Sequence, residues 1–358
     1  MQMKKITAIL TALTMAAALL AGCGAGNPAQ TSSGAAAAPA SSGAAGEGGD
    51  AKSVVVVFPQ GLGDAGPMDA MNENLKKAQQ DFGIEASTFE ALEAAQHEEV
   101  LRTYAREGAD LIITSMPATV EAVKKVAAEF PDTRFCSIFP LEEIDLPNVT
   151  CVDFSIWEAY YLAGIMGGSM SDTGKAGHVI GAEQSSLIAN YNAFKQGAQS
   201  VNPDMQVLLS NTNTFDDPAK GKDAGISLVD QGCDILITDC AATGLGVIDA
   251  AKEKGILMMG DSNPHYELAP ENILADTLCE YGPALYAQIE RFVNGELESG
   301  TYYSSIREGG VGLLISPEIR GSLPADKQAR FDEACEKIDQ ALAGIQSGEL
   351  VIERNIEK

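Results

Sequence analysis

Residue types that carry metal binding and nucleophilic catalysis are scarce in this sequence. It holds three histidines (His97, His178 and His265), one tryptophan, and seven cysteines that form neither a CxxC pair nor another zinc-ligand spacing. A GxSxG nucleophile motif is absent as well. These absences disfavour a zinc site, a disulfide scaffold and a serine hydrolase. We therefore expect no metal, no cofactor and no catalytic residues.

Positive charge is also scarce. The chain has 24 lysines and arginines against 50 aspartates and glutamates, a formal net charge of −26. Such a surface repels nucleic acids and anionic lipids, which excludes a DNA- or RNA-binding role. Hydrophobic residues nevertheless make up 45% of the 358 residues. This is enough core for two folded domains rather than a disordered chain.

The N-terminal apolar run is too short and too rich in Ala and Thr for a membrane span. Lys4 and Lys5 precede the uncharged residues 6–20, and Leu20-Ala21-Gly22-Cys23 follows directly. This pattern resembles a bacterial lipobox, which implies a signal peptide over 1–22, cleavage before Cys23 and lipidation of the Cys23 thiol. An ordinary signal peptide beside a chance cysteine is the alternative.

Residues 23–51 are predicted to form a lipidated, flexible tether. Of the 28 residues from Gly24 to Ala51, 23 are Gly, Ala, Ser or Pro, and none is aromatic or a large aliphatic. This composition buries too little apolar area to offset ordering entropy, and the coil reaches roughly 30 Å. Because the acidic body is repelled by anionic lipid, its attachment to a membrane would depend on covalent acyl chains.

A repeat 124 residues apart organises the rest of the chain. GADLIIT returns as GCDILIT, and NVTCV returns as NILAD, while the apolar run VVVVF aligns with HVIGA at the same offset. The matched segments are 108–114 with 232–238, 148–152 with 272–276, and 54–58 with 178–182. Helical apolar stripes recur between them, so each half is predicted as four alternating strands and helices.

This alternation predicts two Rossmann-like α/β lobes joined by a hinge. Strands separated by helices form mostly parallel sheets with right-handed crossovers. In an open α/β sheet, ligands bind beyond the carboxyl ends of the strands. If those ends face each other, the ligand lies in the cleft between the lobes.

The first strand is followed by a literal G-x-G-x-x-G, from Gly61 to Gly66. A dinucleotide site is one interpretation, because this motif follows a strand and opens a helix. Asp64 stands against it, since a carboxylate would repel the pyrophosphate. The other interpretation is a tight loop that lets a ligand approach backbone amides at a helix N-terminus.

Polar groups and one aromatic ring follow the other predicted strands. The first half offers Ser115, Trp157 and Glu158, and the second offers residues 183–185, 239–241, 261–263 and 279–280. Carboxylates accept hydrogen bonds from vicinal hydroxyls, and an aromatic face stacks on a ring, so a neutral polyhydroxylated ligand fits. An anionic ligand would require arginine. The alternative for Trp157 is a hinge-helix residue, and that for Asp261 is a turn residue before Asn263-Pro264.

From about Ser53 to Lys358 the chain resembles the basic membrane protein family of lipid-anchored ABC-transporter solute receptors, whose best-known members bind purine nucleosides. The order and spacing of five segments carry the resemblance: YLAG at 161–164, VNPD at 201–204, FDDPAKGK at 215–222, TGLG with AAKEKG at 243–246 and 250–255, and REGGVGL at 307–313. The resemblance implies a type I periplasmic-binding-protein-like fold and no enzymatic activity.

The resemblance also implies site residues. Asp64 matches the acidic residue that contacts the base, Asp261 matches the aspartate that holds the ribose diol, and Tyr191 or Phe194 matches the aromatic that stacks on the base. Two positions depart from the family: 66–68 is Gly-Pro-Met instead of Ser-Phe-Asn, and Cys279 replaces a lysine near the ribose. The predicted ligand-binding set is Asp64, Ser115, Trp157, Glu158, Tyr191, Phe194, Thr243 and Asp261.

These observations predict a lipid-anchored solute-binding receptor on the extracytoplasmic face of a cell membrane. It would bind a small neutral ligand, with a nucleoside as the favoured class, hand it to an ABC permease, and act as a monomer. Lobe 1 is predicted to comprise 52–156 plus 266–296, and lobe 2 to comprise 157–265 plus 297–358. A dinucleotide-dependent oxidoreductase using loop 61–66, or a surface adhesion or signalling receptor on the same fold, are the alternatives.

The anchor prediction is tested by Cys23→Ser. Because Cys23 is the cysteine in the lipobox context, we expect the substitution to abolish incorporation of a fatty-acid analogue in metabolic labelling. Cys335→Ser serves as the control and should label like the wild type. Equal labelling of Cys23→Ser and the wild type would contradict the prediction.

Overall fold

The computed structural model describes residues 51–63 and 67–357, so Cys23 and Asp64 lie outside the described residues. Buried β-branched runs build a first sheet of parallel strands, in which β1 has five consecutive buried residues. Its spatial order is β11-β5-β4-β3-β1-β2. The strands are β1 Ser53–Phe58, β2 Glu85–Glu90, β3 Leu111–Ser115, β4 Arg134–Ile138, β5 Val149–Phe154 and β11 Gly300–Ser304.

A second sheet follows the same order, β12-β10-β9-β8-β6-β7. Its strands are parallel except β12, which runs antiparallel to β10. They are β6 Lys175–Ile180, β7 Gln206–Asn211, β8 Ile235–Asp239, β9 Leu257–Gly260, β10 Ile273–Cys279 and β12 Val311–Ile315. The expectation of two α/β lobes with mostly parallel sheets is confirmed.

Helices cover both sheets, because buried strands need apolar partners on each face. They are α1 Pro67–Phe82, α2 His97–Arg106, α3 Val120–Glu129, α4 Ile156–Met170, α5 Ser185–Val201, α6 Pro218–Asp230, α7 Gly244–Lys254, α8 Tyr281–Asn294, α9 Ile319–Ser322 and α10 Ala325–Ser347. Within the described ranges, none of them combines the length and the apolar character needed to cross a bilayer.

The repeat is present in the strand order, but its offset is not constant. Leu111 of β3 and Ile235 of β8 are 124 positions apart and occupy matching places. Val54 pairs with Leu111, and Ala176 pairs with Ile235, so Val54 matches Ala176 and not His178. The alignment of 54–58 with 178–182 was wrong by two residues because the segments joining the first and third strands differ in length. Each described half also has five parallel strands, the last two joined by a loop instead of the predicted helix.

Two strands exchange places relative to the predicted lobe boundaries. Segment 266–296 was assigned to lobe 1, yet β10 pairs with β9 in the second sheet. Segment 297–358 was assigned to lobe 2, yet β11 pairs with β5 in the first. The repeat accounts for the placement of β10 in the second sheet, because β10 is the counterpart of β5. Helix α8 packs on α1 in lobe 1, and α10 packs on α4 in lobe 2, as expected.

Within the described residues, the chain passes between the sheets three times. These crossing segments are residue 155, between β5 and α4; residue 280, between β10 and α8; and residues 305–310, between β11 and β12. Backbone and side-chain hydrogen bonds tie them side by side into a hinge. The bonds run from Ser155 N to Ser304 O (2.9 Å), from Glu280 N to Gly310 O (2.8 Å), and from Ile306 N to Glu158 Oε2 (2.8 Å).

Helices α4 and α5 pack backbone to backbone because both carry glycines at their contact. A Cβ at Gly164 would overlap the carbonyl oxygen of Phe194, and one at Gly197 would overlap that of Tyr161. Gly168 meets Ala198 O in the same way. The central helix α4 is buried along most of its length and packs against β10 and β12 of the second sheet.

Gly164→Ala should therefore lower the free energy of unfolding by about 3 kcal/mol, because the added methyl forces two helix backbones apart. Urea denaturation followed by circular dichroism measures the change. Gly321→Ala in α9 is the matched control, because a Cβ there meets no atom within 4 Å. We expect the control to change stability by less than about 1 kcal/mol. Equal unfolding midpoints for both variants would contradict the packing argument.

Candidate functional site

A cavity of about 400 Å³ lies where the carboxyl ends of the two sheets meet at the hinge. Its size is within the usual range for small-molecule sites. Both lobes, the hinge helix α4 and the C-terminal tail contribute to its wall. The lining residues are Phe139, Leu141, Asp153, Phe154, Ile156, Trp157, Gln184, Ser186, Leu187, Asn190, Phe215, Asp239, Ala241, Asp261, Ser262, Cys279, Tyr281, Tyr303 and Arg354.

Aromatic rings form the lobe 1 side of the cavity. Phe154, at the end of β5, lies 4.9 Å from the ring of Tyr281 and 5.9 Å from that of Phe139. Trp157 and Tyr303 meet edge-on at 5.5 Å. Phe139 adopts a φ of 58°, an uncommon backbone conformation for a bulky residue that recurs at ligand sites. The result is a wall of ring faces and edges suited to a flat ring.

Two carboxylates, Asp239 and Asp261, lie on the lobe 2 side, and Asp153 of β5 adds a third on the lobe 1 side. Asp239 ends β8 and Asp261 follows β9, and both are buried, at 8% and 7% exposure. Asn190 on α5 donates to Asp239 Oδ2 at 2.9 Å. Burial, with the charge of Asp261, raises the pKa of Asp239 to about 8. Burial raises the pKa of Asp261 to about 6, against the opposing effect of His265.

The C-terminal tail closes one side of the cavity. Trp157 Nε1 donates to Ile352 O at 2.8 Å, and Asn192 Nδ2 donates to Asn355 O at 2.9 Å. These bonds place the Arg354 guanidinium 5.9 Å from the Trp157 ring and at the cavity mouth. Arg354 is the one basic side chain among the described lining residues, and its charge lowers the pKa of Asp153, which burial raises.

Two members of the predicted set, Trp157 and Asp261, line the cavity. Ser115, Tyr191 and Phe194 do not. Ser115 is buried with its Oγ 3.9 Å from Met68 Sδ, and Tyr191 donates its hydroxyl to Val207 O at 3.0 Å. Phe194 is fully buried against α4. These three side chains pack within their lobes because their elements turn them away from the strand ends.

Glu158 and Thr243 also lie outside the cavity lining, and both hold loops in place. Glu158 accepts from Ile306 N and so joins two crossing segments. Thr243 Oγ1 accepts from Asp217 N at 2.9 Å and donates to Thr214 O at 3.3 Å, which fixes the loop before α6 against the start of α7. Asp64 lies outside the described residues, so its predicted contact with a base stays a prediction.

Several lining residues were not among the predicted set. Asp239, Gln184, Ser262 and Cys279 sit at strand ends that the sequence already indicated as polar, and the strand-end rule alone locates them. Phe139, Tyr281 and Tyr303 enter from positions that depend on the chain crossings. Arg354 comes from a tail with no local motif, so only the tertiary contacts of Ile352 and Asn355 reveal it.

The glycine loop does not fit a dinucleotide. Leu62 N donates to Glu90 Oε2 at 3.1 Å, and Gly63 N donates to Asp69 Oδ1 at 2.8 Å. A pyrophosphate would need these backbone amides as donors and would meet two carboxylates in their place. The described part of the loop is thus occupied by the protein's own acidic side chains.

Comparison with known protein families agrees with this geometry. Residues 51–342 match the family Bmp, described as ABC transporter substrate-binding proteins that are PnrA-like. The chain belongs to this family. The resemblance inferred from the sequence motifs is confirmed, and a substrate-binding role in an ABC transporter follows from membership.

Relatives support the same assignment. A purine-binding protein of Brucella abortus is 29% identical over 72% of this chain and 69% of its own length. Basic membrane protein D of Borreliella burgdorferi is 27% identical over 51% of this chain and 54% of its own length. The chain thus spans about half to two thirds of these relatives.

Solved structures share the family's fold. An ABC transporter solute-binding protein of Aeropyrum pernix superposes with a TM-score of 0.60 at 24% identity, over 85% of this chain and 94% of that one. A protein titled as a transcriptional activator of the comK gene from Bacillus halodurans gives 0.67 at 22% identity, over 83% and 98%. At these identities the likeness establishes the two-lobed fold alone.

Proposed function

We propose that this family member is a lipid-anchored, extracytoplasmic receptor that binds a nucleoside in the hinge cavity and delivers it to an ABC permease. The observation that carries the proposal is that aromatic rings line mainly the lobe 1 side of the cavity (the aromatic wall) and the buried pair Asp239 and Asp261 lies on the lobe 2 side (the carboxylate wall), a division that Asp153 and Phe215 leave incomplete. A nucleoside has the same division, with a flat base at one end and a hydroxylated sugar at the other.

The aromatic wall supports binding of the base. Phe154, Tyr281 and Phe139 lie within 6 Å of one another, ring to ring, and offset or edge-on contacts of this kind stabilise a planar ring by about 0.5–1.5 kcal/mol each beyond area burial. Trp157 and Tyr303 extend the wall toward the tail. These rings take the stacking role that the Gly66-Pro67-Met68 departure removes from the first loop.

The carboxylate wall supports binding of the sugar. Asp261 projects from the carboxyl end of β9 into the cavity, where a carboxylate accepts hydrogen bonds from two neighbouring hydroxyls. Asn190 and Gln184 add amide donors and acceptors on the same side. With Arg354 at the mouth as the one basic lining residue in the described chain, a phosphorylated ligand would meet more negative charge than positive.

The hinge supports the receptor role. Each lobe brings its own half of the cavity, and the crossing segments are short, so rotation about them would open and close the cleft around a ligand. A tether anchored at Cys23 would keep the body within reach of a permease. The purine-binding name of the Brucella relative supports the ligand class proposed for this chain.

Thermal unfolding with a ligand panel tests the function. A receptor gains roughly 2.7 kcal/mol at a ligand concentration a hundredfold above Kd, which shifts Tm by several degrees. We expect a shift with at least one of adenosine, guanosine, inosine or uridine, and none with NAD, FAD or glucose. Trp157, the single tryptophan, lines the cavity and gives an independent fluorescence readout. A shift with NAD or glucose alone would contradict the proposal.

Asp261→Ala should weaken binding of the nucleoside that gives the largest shift by on the order of a hundredfold. The lost carboxylate accepts charge-assisted hydrogen bonds worth roughly 1.5–3 kcal/mol each. Asp261→Asn should be milder because one acceptor oxygen remains. Calorimetric titration measures both, and Asp249→Ala on the exposed face of α7 is the control. A Kd of Asp261→Ala within threefold of the wild-type Kd would contradict ligand contact and indicate that Asp261 is a turn residue.

A further inference from the structure

Asp239 and Asp261 form a pair set by strand register. Ile237 of β8 lies opposite Met259 of β9 in parallel pairing, so two residues further on Asp239 comes opposite Asp261. Neighbouring strands are about 4.8 Å apart, and residues in register project to the same side. Both residues are buried, at 8% and 7% exposure, and line the same cavity.

The groups facing Asp239 leave it without a positive charge. Asn190 donates to its Oδ2, and Tyr160 on α4 lies beside it but donates its hydroxyl to Thr238 O at 2.9 Å. His178 Nε2 on β6 is 3.9 Å from Oδ2. Burial lowers the pKa of His178 to about 3, so its ring is neutral. The remaining neighbour with charge is Asp261 itself.

Asp261 has one partial counter-charge. His265 lies nearby and is itself drawn to Asp276 of β10, with Nδ1 3.4 Å from Oδ1. Asp276 holds the pKa of His265 above its ordinary value. The thiols of Cys240 and Cys279 also face the pair, and burial raises the pKa of both, that of Cys240 to about 12. Neither thiol ionises near neutral pH.

This asymmetry decides which group keeps a proton. Two carboxylates one strand spacing apart in a buried wall repel each other, so one of them stays neutral. His265 favours ionisation of Asp261, and Asp239 has only neutral polar partners. The pKa of Asp239 near 8 and that of Asp261 near 6 follow the same order.

We propose that Asp239 and Asp261 act as a dyad that holds one proton, in which Asp239 donates a hydrogen bond to the ligand and Asp261 accepts one. The assignment rests on the proposed nucleoside function for the identity of the ligand. A vicinal diol matches the dyad, because one hydroxyl accepts from Asp239 while the other donates to Asp261. The dyad also explains how a cavity with several carboxyl groups binds a neutral solute.

The pH dependence of adenosine binding tests the dyad, because adenosine itself does not ionise between about pH 7 and pH 9.5. Ionising Asp239 removes the donor and adds repulsion. The Kd of the wild type should therefore rise on the order of tenfold across this range. In Asp239→Asn, whose amide donates at every pH, the change in Kd over the range should fall below about twofold, whatever its absolute affinity. Asp249→Asn is the control and should keep the wild-type slope.

A ligand-free measurement separates this proposal from the proposed function. A folded pKa raised to about 8 gives stability that is present below the ordinary Asp pKa and is lost as pH rises toward 8. The Tm of Asp239→Asn relative to wild type should therefore increase between about pH 5 and pH 8. Asp261→Asn removes the neighbouring charge. In that background, the pH range over which Asp239→Asn gains Tm relative to its parent should therefore move to lower pH.

The outcomes are distinct. If no nucleoside binds but the relative Tm of Asp239→Asn rises with pH, the dyad holds and the proposed function fails. If adenosine binds and its pH slope is unchanged in Asp239→Asn, another group such as His265 controls it and the dyad is wrong. A pH-independent Tm difference between Asp239→Asn and wild type overturns the dyad without reference to any ligand.

Discussion

The alignment of three crossing segments side by side is the constraint on which the molecule depends. Hydrogen bonds between Ser155 and Ser304, Glu280 and Gly310, and Glu158 and Ile306 lock these short connections into one hinge. Because each crossing leaves or enters a sheet at its carboxyl end, the hinge brings those ends together. The cavity is therefore a product of how the chain changes lobes.

The hinge also explains why the two cavity walls differ chemically. Lobe 1 ends β5 in Phe154, whose ring packs against Tyr281 of α8 and against Phe139. In lobe 2, Asp239 ends β8 and Asp261 follows β9, and no lysine or arginine among the described residues forms an ion pair with either. Burying carboxyl groups this way costs stability. Such a cost is typical of a binding site, where a ligand supplies the missing hydrogen-bond partners.

Local sequence patterns predicted much of this architecture. The buried runs at 54–58, 111–114 and 235–238 each follow from short-range physics, and all correspond to strands. The 124-residue repeat holds between β3 and β8. The exchange of β10 and β11 between sheets was missed because both segments have strand patterns, and only pairing decides the sheet. The repeat was consistent with β10 in the second sheet, because it matched residues 272–276 with the segment that forms β5.

The sequence likewise predicted only some of the residues that line the cavity. Asp261 and Trp157 follow apolar runs that end at the cleft, so the strand-end rule locates them. Tyr191 and Phe194 were predicted from resemblance and Ser115 from the strand-end rule, but the facing direction of their helix and strand turns all three side chains into their own lobes. No local sequence pattern predicts Arg354. Its position is set by hydrogen bonds from the side chains of Trp157 and Asn192, some 160 to 200 residues earlier, to backbone carbonyls of the tail.

The position of β11 has a consequence for how the protein is made. Strand β5 ends at Phe154, but its outer neighbour β11 begins at Gly300, so strands β6 to β10 of the second sheet intervene in the chain. During synthesis from the N-terminus, one edge of β5 stays unpaired until about 300 residues have been made. Such long-range pairing is slow and leaves edges exposed to aggregation. The first sheet is completed only after five of the six strands of the second have been synthesised.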